Sequence, residues 1–150
     1  MGQSLHCRLP LPKMRSTYRL RMHQRSITLS RLRQVTPFLR VPDIESAVAF
    51  FCDTLGFERS FAAGSYALVR RDDVAFRLIE DEALPPRGHG RYTSYVDVDD
   101  IDALYAEWKP KLDQLPVGSV CAPSDQDYGQ RDLTVVGPDG DIIAFGSPIR

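Results

Sequence analysis

From Val35 onward the chain alternates short apolar runs with a segment of helical spacing, and the same order occurs twice. The run VTPFLRV is β-branched and aromatic and predicts a strand. In PDIESAVAFFCDTLGF the residues Ile44, Ala47, Val48, Phe51 and Leu55 share one helical face, with Asp43 placed as N-cap and Gly56 closing the helix. FERSF, SYALVRR and VAFRLIE then read as strands, separated by the turn-forming AAG and by a tight link at Asp72-Asp73.

After EALPPRGHG the order restarts. RYTSYVDV predicts a strand, and DDIDALYAEWKPKL a helix with Ile101, Leu104, Tyr105, Trp108 and Leu112 on one face; further strands are expected near VGSVC, RDLTVV and DIIAFG. A shift of 57 residues brings Asp43-Ile44 onto Asp100-Ile101, Val41 onto Val98 and Thr36 onto Thr93, so internal duplication describes the chain better than one irregular domain. The modules span about 35–82 and 91–148. The expectation is an α+β fold in which two tandem βαβββ modules form curved mixed sheets around a cavity, helices outside.

With 150 residues and 43% hydrophobic content, the chain can fill one sizeable core. It holds no run of eighteen uncharged apolar residues, so no membrane span is expected. Cys7, Cys52 and Cys121 stand at unrelated spacings, which argues against a disulfide framework and for a reducing cytoplasm. Cys52 and Trp108 lie on or near apolar helix faces and are read as packing residues.

Charge is divided sharply. All 20 acidic residues lie at or after Asp43, whereas residues 1–34 hold eight of the 19 basic ones, leaving residues 35–150 at a net −9. Residues 1–34 are read as a basic, disordered extension outside the fold. Import into an organelle or contact with nucleic acid are the alternatives for it, but no aromatic interleaving accompanies the charge. The GxGxxG, GxxxxGK[ST], GxSxG and HExxH patterns are absent from the chain.

The stretches FLRVPDIESAVAFFCDTLGFE, VDVDDIDALYAEW and YGQRDLTVVGPDGDIIAFG, in this order and spacing, resemble the glyoxalase, bleomycin resistance and dioxygenase superfamily, also called vicinal oxygen chelate. The resemblance runs from about Val35 to the end. For the superfamily's enzymes it implies a divalent metal acting as Lewis acid, held by His, Glu or Gln near the start and on the last strand of each module. Here those positions hold Thr36, Ala75, Thr93 and Ala144. Alanine has no donor atom and a neutral threonine hydroxyl is a poor ligand, so neither metal nor other cofactor is expected. His89, alone in its loop, is read as solvated surface.

Strand alternation turns Phe38 and Arg40 toward the cavity with Thr36, leaving Leu39 and Val41 for the helix side. Arg77 faces inward with Ala75, and Tyr95 and Asp97 with Thr93. Aromatic area with a few charges suits a recognition pocket. The alternative is that Arg40, Arg77 and Asp97 satisfy one another. DQDYGQRD looks like the corresponding loop of bleomycin resistance proteins, where Tyr128 would stack on a planar ligand group and Gly129 would allow close backbone approach. Arg131 would pair with an acidic ligand group or a partner subunit. Pro138-Asp139-Gly140 is a structural turn.

The ligand-binding set is therefore Phe38, Arg40, Arg77, Tyr95, Asp97, Tyr128 and Arg131, with no catalytic residue. The expected function is that of a metal-free small-molecule binding protein of the bleomycin resistance type, sequestering an antibiotic or metabolite. The net acidity favours a cationic ligand and the inward arginines oppose it. The alternative is a lyase, isomerase or dioxygenase of the superfamily with unusual or absent metal ligands, using Asp97 or Tyr95 as acid or base. The resemblance also implies a homodimer; no nucleic acid or membrane partner is expected.

Overall fold

The structure, a computed structural model, describes residues 33–84 and 92–149. Those from Gln34 onward belong to one compact unit. Residues 1–32, nearly all of the expected basic extension, lie outside the described residues, and so does His89.

The first module runs β1 (Phe38–Val41), α1 (Ile44–Ala49), a π-helical turn (Phe50–Thr54), β2 (Glu58–Ala63), β3 (Tyr66–Arg71) and β4 (Val74–Glu80). The second runs β5 (Thr93–Asp97), α2 (Ile101–Leu112), β6 (Val120–Asp125), β7 (Gln130–Val136) and β8 (Ile142–Pro148). Each builds a four-stranded mixed sheet, ordered β1-β4-β3-β2 and β5-β8-β7-β6. Its first and last strands pair in parallel, and the hairpins are antiparallel. The sheets do not close into a barrel. This is the α+β pair of βαβββ modules expected from the repeat.

The duplication extends to the helix caps. Asp43 Oδ1 accepts from Ser46 N at 2.6 Å, and Asp100 Oδ1 accepts from Ala103 N at 3.0 Å, the same bond one repeat later. Two boundaries differ from the sequence reading. β1 starts at Phe38 because Pro37 has no N–H for the ladder, although its carbonyl still accepts from Arg77 N at 2.9 Å. The first helix ends in a wider turn, closed by Leu55 N donating to Phe50 O at 3.3 Å. Within that turn adjacent Phe50 and Phe51 are both buried, packed edge to face at 5.7 Å.

Leu39, Val41, Ala67, Val69, Phe76 and Leu78 form the helix-bearing face of the first sheet, and Leu133, Val135, Ile143 and Phe145 that of the second. These faces, with α1, the π-helical turn and α2, belong to one continuous core. Trp108 on α2 is buried with its ring edge to face against Phe145 at 4.9 Å. Arg71, which donates to Leu55 O at 2.9 Å within its own module, reaches the second module by donating to Glu107 Oε2 at 2.8 Å with its guanidinium over the Trp108 ring. With the helix-bearing faces spent on the core, the opposite face of each sheet is left for other work.

Candidate functional site

Those opposite faces carry the side chains that alternation assigns to a cavity, and in a single chain they are open. Phe38 is 50% exposed, Tyr95 44% and the turn residue Tyr128 66%. A groove of about 280 Å³ where the modules meet is lined by Pro37, Ala75, Tyr95 and Asp97, among others, so strands of both modules shape it.

On the first sheet, Phe38 and Arg77 are direct neighbours across the β1–β4 ladder. The Arg77 guanidinium stands 5.5 Å from the centre of the Phe38 ring and donates to the Tyr66 hydroxyl at 2.7 Å. Arg40 pairs with Asp81, just past β4. The two arginines thus have separate partners, and neither is paired with Asp97, which lies exposed at the end of β5.

On the second sheet the polar groups converge on Asp132, a buried carboxylate on β7. Tyr95 donates its hydroxyl to Oδ1 at 2.7 Å, and Tyr128 donates to Oδ2. Tyr128 reaches it from the β6–β7 turn, where Gly129 takes a φ of 82° that favours glycine. Room for the Tyr95 hydrogen bond comes from Gly146, which lies opposite Asp132 on β8 and opposite Asp97 on β5. Desolvation, together with the hydrogen bond to the Asp132 carboxylate, pushes the Tyr95 phenol well above the ordinary tyrosine range. The bond to Asp132, then desolvation, raises Tyr128 as well. Both phenols stay protonated near neutral pH and serve as donors to one anion.

Arg131 stands apart from this group. As the neighbour of Asp132 on a strand it points to the other side, where Nε meets Asp102 at 3.1 Å and Nη1 meets Asp125 at 2.8 Å. It links α2 to the β6–β7 hairpin. The hydrogen bonds to Asp125 and Asp102 raise its pKa, as expected for a cation held by two carboxylates. Sequence reasoning missed Asp132, Gly146 and Tyr66. For Asp132 a signal was present: Leu133 and Val135 are the apolar positions of β7, so alternation places Asp132 on the face of Tyr95.

A family model described as the Glyoxalase/Bleomycin resistance protein/Dioxygenase superfamily matches residues 31–141. The chain belongs to this superfamily. Bleomycin resistance proteins of Geobacillus stearothermophilus and Staphylococcus aureus are each 30% identical to it over 132 residues, covering 78% of this chain and 98% of theirs. Among solved structures, a bleomycin-binding protein from bleomycin-producing Streptomyces verticillus, complexed with copper(II)-bleomycin, is 26% identical with a TM-score of 0.66. The match covers 81% of this chain and 100% of that one. A bleomycin resistance determinant encoded on the transposon Tn5 shares the fold with a TM-score of 0.69 at 24% identity, over 79% of this chain and 100% of that one.

The divalent metal of superfamily enzymes is a poor fit to the donors present. Ala75 is buried and Ala144 half-buried, and neither offers a donor atom; Thr36 and Thr93 offer only hydroxyls. Among the described residues no three His, Cys, Asp or Glu side chains come together as a ligand set.

Proposed function

We propose that this protein binds a small cationic molecule of the bleomycin type stoichiometrically and without a metal of its own, using the faces opposite the helices. The observation that carries this reading is the convergence, on those faces, of exposed aromatic rings with buried and exposed carboxylates. Phe38, Tyr95 and Tyr128 supply apolar contact area, and Asp132 and Asp97 supply negative charge. The net −9 of residues 35–150 adds long-range attraction for a cation. Arg40 and Arg77 are engaged by Asp81, Tyr66 and Phe38, which moderates their opposition to a cationic ligand. Sequence relatives that are bleomycin resistance proteins support the same reading.

The working unit of this proposal is a cytoplasmic homodimer. Exposed aromatic surface on both sheets is more than a monomer needs to leave open, and a second copy would turn open faces into an enclosed crevice. Sedimentation at micromolar concentration is expected to give a dimer. A strictly monomeric chain that still binds would remove the crevice from the proposal.

A catalytic role has less support. With its pKa raised, Tyr95 holds its proton near neutral pH and is unsuited to act as a base. The test is calorimetric titration of the full chain with copper-free bleomycin. Saturable binding with unchanged bleomycin recovered is expected. Absence of heat at 100-fold molar excess, or steady chemical conversion of the ligand, would overturn the proposal.

A further inference from the structure

We infer that Tyr95, Tyr128 and Asp132 form a subsite for an alkylated ammonium group, with Asp132 as the residue that positions both rings. The inference rests on the reading of the open face as the ligand surface and names the part of the ligand that this corner recognises.

Two exposed aromatic rings are anchored on one buried carboxylate. The two hydroxyls meet the two oxygens of one carboxylate, so each ring is held by its far end while more than two-fifths of each residue remains in solvent. A side chain this exposed ordinarily samples several rotamers; here one buried group restrains two of them. Asp97 adds a second carboxylate close enough to influence the Tyr95 phenol. Phenols that donate to a carboxylate carry electron-rich rings, and electron-rich faces attract cations.

The choice of cation follows from which hydrogen-bonding capacity is left. Asp132 is buried and each of its oxygens already accepts from a tyrosine, so a primary ammonium, with three protons to place, competes with the phenols for that carboxylate. An alkylated ammonium needs no acceptor. It gains from ring faces and nearby negative charge, and its methyl groups gain from apolar contact. Gly146 completes the arrangement, since any side chain at that position would displace the Tyr95 hydroxyl from Asp132.

The experiment uses choline and its neutral isostere 3,3-dimethylbutan-1-ol, which replaces nitrogen by carbon, titrated into the full chain and followed by NMR chemical shifts. Choline is expected to bind at least tenfold more tightly than the alcohol. Asp132→Asn should reduce that preference at least fivefold. Tyr128→Leu, at a turn position that is 66% exposed, should do the same. Equal affinity for the two probes, or a preference unchanged in both variants, would overturn the subsite. Copper-free bleomycin titrated in parallel separates the two ideas. Bleomycin binding without choline preference leaves the general reading and removes the subsite; choline preference without bleomycin binding does the reverse. Binding of neither removes both.

Discussion

A Cβ atom built on Gly146 would lie 1.8 Å from the Tyr95 hydroxyl and 2.5 Å from Asp132 Oδ1. The position is therefore glycine for space, to let a tyrosine from β5 reach across β8 to a carboxylate on β7. Gly146→Ala should push Tyr95 off Asp132 and leave a buried carboxylate oxygen without its donor. The expected cost is about 1–3 kcal/mol, from overpacking and the lost hydrogen bond together. Urea denaturation measures it. A neutral result would mean that Tyr95 swings aside freely and that the Asp132 pairing contributes little.

The phenols of Tyr95 and Tyr128 give the protein a distinctive alkaline limit. Their folded-state pKa values lie above the unfolded value of 10.0, so the native state holds these protons more tightly than the unfolded chain does. The stabilisation is complete below pH 10 and is lost as pH rises beyond it, because the unfolded chain ionises first. The melting temperature should accordingly fall more steeply between pH 10 and 11 in the native sequence than in Tyr95→Phe. Parallel curves for the two proteins would show that the Tyr95 phenol is not protected.

Arg71 makes bonds of unequal worth, one across to the second module and one within the first. Its ion pair with Glu107 is solvent-accessible, with the Glu107 side chain 54% exposed, and such pairs contribute little. Its hydrogen bond to Leu55 O satisfies the carbonyl of a residue that is completely buried. Glu107→Gln is expected to cost under about 1 kcal/mol, whereas Arg71→Ala should cost about 1–3 kcal/mol, because it strips the Leu55 carbonyl and uncovers Trp108. Chemical denaturation of both variants and the double mutant gives the comparison. Equal losses would assign the stabilisation to the ion pair instead.

How much of this was legible in the sequence depends on whether a feature is periodic or three-dimensional. The repeat of Asp43 at Asp100 announced two capped helices, and the alternation in FLRV and VAFRLIE put Leu39, Val41, Phe76 and Leu78 on the buried side, where they lie. The π-helical turn at Phe50–Thr54 was not legible, since its apolar spacing matches that of an ordinary helix. Alternation from Thr93 turns Tyr95 inward and the loop resemblance singles out Tyr128, whereas Asp132, shared by the loop DQDYGQRD and the strand RDLTVV, is given no role by either. Its burial arises from register with Gly146 and from two tyrosines distant from each other in the chain. At Arg131 the loop resemblance outweighed simple alternation, which already sets it on the opposite side of β7 from Asp132.

The four positions that the family resemblance assigns to metal ligands lead to a last prediction. Ala75 and Ala144 bring methyl groups where a carboxylate or imidazole would be required, and Ala144 is flanked in register by Tyr95 and Thr134. A transition metal there would have to bind through two neutral hydroxyls and water, a donor set far weaker than imidazole and carboxylate. The full chain titrated with nickel, cobalt, manganese, zinc or iron(II) is expected to take up no stoichiometric metal at micromolar concentrations. Bleomycin binding should likewise be unchanged after dialysis against a chelator. One tightly bound metal per chain, or affinity for copper-free bleomycin lost on chelation and restored by a metal, would show that Thr36, Ala75, Thr93 and Ala144 are not the positions that matter. The catalytic alternative would then take precedence over simple binding.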